Sequence, residues 1–417
     1  MWDQSDLIRR VCSVVDFAGQ VLSTLTGAVR ADRLPADSPS AVIPEKVIAE
    51  AAMLLHAAAS IQELDGRLHG RVQDLAARLM PLARDESMLV SLCTDPGLAF
   101  ERSVAHAVLS KLGFEDPRVD RLLQETTSLG ARFGPEQLPF LELERDWLGR
   151  VWKGVPGPAA TNLLAQSTLG RQLDVLGATR LDVYAFTHAV MYASDFGAAA
   201  VALPRRASAI AADAEAALAL SLEADDFDVI CEVTMTWPML HLEWSAAARF
   251  AFGLLIEAHD REGFLPGPAF DPDRCRSRTP QEQPAYVVET SYHTTFVMGM
   301  LCAAAVRRGC LPPLQAPIVD VTGAASAILK LSDGENRHTR WRQALDTLSS
   351  GAQDALAPLL VSASLRGAKE HGDLARIRRV LEAVLAHGLF ALPAVRQSAD
   401  LLRRSAILDA IIHPVNA

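Results

Sequence analysis

The chain has 417 residues, a formal charge of −10 and a hydrophobic share of 50%. That share is enough to bury a large core and excludes wholesale disorder. The acidic balance excludes a general nucleic-acid binder, which needs a basic face. The length predicts two or three domains, or one large helical assembly.

The cations are mostly arginine, the lysines being Lys46, Lys111, Lys153, Lys330 and Lys369. With the Ala and Leu richness, this bias points to a GC-rich genome. The first residues lack the basic and apolar regions of a leader, and no run reaches the ~20 apolar residues of a membrane helix. The expectation is a cytoplasmic protein that contacts neither membrane nor nucleic acid. Cys12, Cys93, Cys231, Cys275, Cys302 and Cys310 show no CxxC spacing, which predicts reduced thiols.

Helical periodicity recurs along the whole chain, and strand alternation is nearly absent. A polar, proline-containing connector occupies 30–44. Pro44 and Glu45 then open a helix over 44–60, with Val47, Ile48, Ala51, Leu54 and Leu55 on one stripe. Leu68, Val72, Leu75, Leu79 and Leu82 mark a second helix at 68–82. Further helices are predicted at 98–112, 117–130, 136–152, 181–202, 205–222, 226–240, 242–261, 287–308, 317–331, 336–348, 352–366, 372–388 and 393–412, with Pro or Gly at most joints. A long loop with five prolines is predicted at 263–284. No fixed-period repeat appears, which argues against a regular repeat array.

The pattern predicts an all-α protein. Helices apolar on most sides, 189–203 and 296–306, suit an inner ring behind an outer one, so an α/α toroid is favoured over an open α-solenoid. The chain is divided into an N-terminal region 1–135, a central region 136–312 with the candidate site, and a C-terminal region 313–417 that closes one continuous toroid.

All four tyrosines, Tyr184, Tyr192, Tyr286 and Tyr292, fall in the central region. Tyr184, His188, Tyr192 and Asp195 are spaced to share one stripe of an otherwise apolar helix. A histidine beside a carboxylate is a candidate general base. Asp225, Asp228 and Glu232 are predicted to share a second face, where Glu232 is the deeper candidate base. The same acids could hold a cation, or Asp225 or Asp226 could simply cap the helix. Trp237, His241 and Trp244 form a third stripe, kinked at Pro238. Tyr292 and His293 sit in a polar run read as the N-terminus of the apolar helix at 297–306, where free N–H groups could meet an anion. Arg274, Arg276 and Arg278 in the long loop suit an anion or an acidic partner.

His188, Asp195 and Glu232 are therefore the candidate catalytic residues. Tyr184, Tyr192, Trp237, His241, Tyr292 and His293 are the candidate substrate contacts. His188, Asp195, Glu232 and Tyr292 are expected to converge on one cavity. No cofactor and no metal are expected. The Walker A, GxGxxG, GxSxG and HExxH patterns are all missing, which weighs against nucleotide hydrolysis, hydride transfer and serine hydrolysis.

The run from Tyr184 through Thr187, His188, Tyr192 and Asp195 to Gly197, followed by Asp228…Glu232 and Tyr292-His293-Thr294, resembles a family of actinobacterial helical proteins found in natural-product gene clusters. The likeness covers about 140–310. It extends to the aziridine-forming proteins of azinomycin-type biosynthesis. The resemblance implies a metal-independent cyclase or lyase acting on a small polar or carrier-protein-bound substrate. In this form, an amine closes an aziridine with loss of sulfate, beside a sulfotransferase-like partner. Two other readings stay open: a helical scaffold for a partner enzyme or carrier protein, and a terpene-cyclase-like enzyme, although the DDxxD order of that class is not met.

Overall fold

A first helix that the sequence reading did not single out, Gln4–Val29, lies against the longest central helix, Gln283–Arg307. The computed structural model describes residues 2–29, 43–133, 137–155, 157, 159–307, 309–313, 322–331 and 339–412. Among the described residues every regular element is helical and no strand occurs. The connector expected at 30–44 lies outside them up to residue 42, as does the joint at 134–136.

Local chemistry explains where the site-bearing helices begin. Pro44–Ala59 starts on Pro44, whose missing N–H costs nothing in a first turn. Arg180–Ala193 opens with a capping box, in which Thr179 and Asp182 each satisfy the other's backbone N–H. Asp226 caps Phe227–Thr234 by accepting from the Val229 N–H at 3.4 Å.

Several predicted boundaries move. The helix read as 181–202 ends at Ala193, because Asp195, Phe196 and Gly197 are left-handed, with φ of 49°, 53° and 83°. The helix read as 226–240 is split after Thr234; Pro238 has no N–H to return to the Thr234 carbonyl, and a short helix Thr236–Leu240 follows. Part of the long loop is itself helical, at Pro272–Arg276, and the next helix begins at Gln283 instead of near 287.

One apolar cluster runs from Leu7 to Val395. Within it, Pro44–Ala59 packs against Val104–Lys111, which packs against Pro139–Trp152, which packs against Arg180–Ala193. Arg180–Ala193 meets Phe227–Thr234, which meets Gln283–Arg307, and that helix packs back on Pro44–Ala59. Gly299 lies at the crossing with Gln4–Val29 and Pro44–Ala59. A Cβ there would come within 2.7 Å of both Val14 and Leu54.

Candidate active site

Five of these helices each send polar side chains to one buried cluster. From Phe227–Thr234 come Asp228 and Glu232, each 2% exposed. They stand one helical turn apart and so share a face.

The outer oxygens of both carboxylates are held by the neighbouring Arg180–Ala193 helix. Tyr184 donates its hydroxyl to Asp228 Oδ2 at 2.5 Å, and Arg180 donates to the same atom at 3.1 Å. Arg180 also binds Asp226 at 2.7 Å and lies over the Tyr184 ring. Thr187 donates to Glu232 Oε2 at 2.6 Å. The inner oxygens face imidazoles. His188 Nε2 is 3.7 Å from Glu232 Oε1, and His293 Nε2 is 3.1 Å from Asp228 Oδ1.

The other face of His293 meets a residue the sequence reading missed. Its Nδ1 lies 3.0 Å from Glu50 Oε1, and the Tyr292 phenol is raised by burial and by the nearby Glu50. Glu144, also missed, is buried close enough to His188 and Tyr192 for each to shift its titration. Both acids sit on apolar helical stripes, Glu50 between Val47 and Leu54, Glu144 between Phe140 and Trp147. An acid on such a stripe is the signal that could have found them.

The environment sets the charges. Burial opposes charge on His188, but Glu232 and Glu144 outweigh it and raise its pKa. The same contest at His293, with Asp228 and Glu50 as opponents, raises that pKa further. Burial would lift Asp228; His293, Tyr184 and Arg180 hold it down at about 2. Burial pushes Glu144 up to about 7, outweighing the opposing pull of His188, Tyr192 and Arg145. The phenols of Tyr184 and Tyr192 are raised by burial and by neighbouring carboxylates, so they stay protonated donors.

The carboxylates are sealed, whereas the His188 and His293 side chains each retain 26% exposure. Phe140, Tyr184 and Tyr192 rings frame His188 at 5.4–5.8 Å. Phe140 also lines a cavity of about 470 Å³ whose other lining residues lie outside the polar cluster.

Other expected members lie elsewhere. Asp195 is beyond the helix end and does not pair with His188. It binds His56 at 2.8 Å and Trp147 at 2.7 Å, and Lys111 approaches at 3.6 Å. Asp225 is outside its helix and meets Arg340 at 3.5 Å, so the three-acid face reduces to Asp228 and Glu232. Trp237 is fully buried in the core. His241 ends its helix in a left-handed conformation, 3.3 Å from Cys310 Sγ. The stripe with Trp244 is therefore broken.

Tyr292 and His293 lie well inside their helix, so they offer no free N–H groups; they act through their side chains. Arg276 pairs with Asp273, Arg278 covers the Tyr286 ring and Arg274 is exposed on the short helix. All six cysteines are free thiols. No helix among the described residues is long and apolar enough to cross a membrane.

This is a helical protein whose polar cluster is gathered from residues 50 to 293. The chain belongs to the family described as Domain of unknown function (DUF6895), whose model matches residues 18–303 and so encloses the whole cluster. No curated protein and no solved structure matches the chain.

Proposed function

We propose that the chain is an enzyme that moves a proton on a small polar substrate at His188, and that it closes a ring or eliminates a leaving group. One observation carries this reading. His188 is reachable at 26% exposure, yet it is walled by three aromatic rings and stands 3.7 Å from a sealed carboxylate. A histidine serving only to pack helices has no need of an opening. Glu232, fixed by Thr187, orients the imidazole and stabilises its charged form.

Aziridine closure with loss of sulfate is the specific reaction the resemblance suggests, in natural-product biosynthesis and beside a sulfotransferase-like protein. The amine nitrogen forms the new C–N bond, the C–O bond to sulfate breaks, and the amine proton passes to the His188 imidazole. Sulfate leaves easily, so the walls contribute mainly orientation.

We also infer an α/α toroid over an open solenoid. The helix contacts that lead from Pro44–Ala59 through four neighbours to Gln283–Arg307, and from there back to Pro44–Ala59, support it. The free thiols support a reducing, cytoplasmic setting. A second reading, a scaffold for a partner protein, is favoured by the exposed apolar residues Leu385 and Phe390.

Deletion of the gene in its host should remove one group of small metabolites. Wild type should restore them and His188→Ala should not, with the variant folded by circular dichroism. Full restoration by His188→Ala would overturn the enzyme reading in favour of the scaffold.

A further inference from the structure

We propose that Asp228, Glu232 and His293 bind a divalent first-row transition cation, such as Zn²⁺ or Mn²⁺, through Asp228 Oδ1, Glu232 Oε1 and His293 Nε2. This revises the expectation of a metal-free site. It does not depend on the role given to His188.

The three residues offer donor atoms that all lie within 4.8 Å of one another. With metal–ligand bonds of ~2.0–2.2 Å, adjacent ligands stand ~3.0–3.6 Å apart. His293 Nε2 and Asp228 Oδ1, at 3.1 Å, already have that spacing. The Glu232 donor lies within 4.8 Å of the other two and must close in to complete the set.

Proximity alone would not make a site, because acidic clusters are common. The outer shell is what distinguishes this one. Each carboxylate has its outer oxygen fixed, Asp228 Oδ2 by Tyr184 and Arg180, Glu232 Oε2 by Thr187. The inner oxygen of each is turned towards the imidazoles.

Asp228 Oδ1 is buried and has no hydrogen-bond donor, since the 3.1 Å approach of His293 Nε2 is not aligned as a hydrogen bond. The imidazole must release its proton to ligate, so a cation takes over the charge that His293 otherwise presents to this oxygen. Glu50 Oε1 lies 3.0 Å from His293 Nδ1, an approach not aligned as a hydrogen bond until the ring adjusts. Carboxylates behind metal-bound histidines fix the tautomer that leaves the other nitrogen free to ligate.

The donor set selects the ion. One imidazole nitrogen with two carboxylate oxygens suits Zn²⁺, Mn²⁺ or Fe²⁺, whereas Ca²⁺ and Mg²⁺ prefer oxygen alone. Three protein ligands leave a coordination position for water or substrate, as catalytic sites require. The exposed edges of His188 and His293 give the entry path.

The test is binding, read without turnover. The full chain, stripped with a chelator and dialysed, is titrated calorimetrically with Zn²⁺ and with Mn²⁺, and Co²⁺ is used as an absorption probe. One equivalent should bind, raising the melting temperature and giving a Co²⁺ d–d band. His293→Gln and Glu232→Gln should weaken binding at least 100-fold. Thr187→Val, which keeps every ligand but releases Glu232 Oε2, should weaken it 10–100-fold and keeps the test valid if a ligand variant does not fold. No stoichiometric binding to wild type, or wild-type affinity in a folded His293→Gln chain, would overturn the proposal. Either result leaves the His188 complementation experiment standing by itself.

Discussion

Trp147 donates its indole N–H to Asp195 at 2.7 Å, and that bond ties the chain reversal after Ala193 to the Pro139–Trp152 helix. Asp195 is held well below the usual carboxylate range: burial would raise it, but His56, Lys111 and Trp147 outweigh that. Trp147→Phe keeps most of the ring and removes the donor. The expected loss is ~1–3 kcal/mol, the cost of an under-satisfied buried carboxylate, measured by urea unfolding. An unchanged midpoint would mean that His56 and Lys111 hold Asp195 unaided.

Glu144 makes stability depend on pH. Its folded pKa is raised from 4.5 to about 7. A raised value means that its contribution is fully present below about 4.5 and is lost as pH rises through 7. The shift corresponds to roughly 3 kcal/mol at most. Glu144→Gln should remove that part of the decline, so stability curves of variant and wild type should diverge between pH 4.5 and 7. Parallel curves would show that Glu144 ionises freely.

Gly299 is required by close approach. Gly299→Ala places a methyl within 2.7 Å of Val14 and Leu54, both in the core. Overpacking of this kind costs ~1–3 kcal/mol. The melting temperature should fall, and a rise would show that the crossing has spare room.

The thiols should divide by burial. Cys93 is exposed, whereas Cys231 and Cys302 are buried and burial raises both pKa values, that of Cys302 to about 12. Iodoacetamide should label Cys93 in the native chain and reach Cys231 and Cys302 only after unfolding, read by peptide mass spectrometry. Early labelling of Cys302 would indicate that Gln283–Arg307 opens locally.

Helix content was legible because apolar spacing alone decides it. Helix ends were not, where they depend on left-handed residues other than glycine: nothing in Asp195 or Phe196 announces a positive φ, and only Gly197 hints at it. That error carried Asp195 into the wrong cluster. His188, Glu232 and Tyr184 could be found because polar groups on apolar helices stand out. The pairing of Asp228 with His293 depends on which helices become neighbours, and spacing within one helix holds no record of that. Glu50 and Glu144 were overlooked for a simpler reason, since a lone acid in a helix usually faces solvent.

Glu50 and His293 touch across about 240 residues of chain. At ~5–20 residues synthesised per second, Glu50 leaves the ribosome roughly 12–50 s before its partner exists. During that interval Lys46, one turn back on the same helix and 3.6 Å away, is the cation within reach of Glu50. The contact with the imidazole can close only once Gln283–Arg307 has been made, so the N-terminal half carries its part of the cluster before the cluster exists.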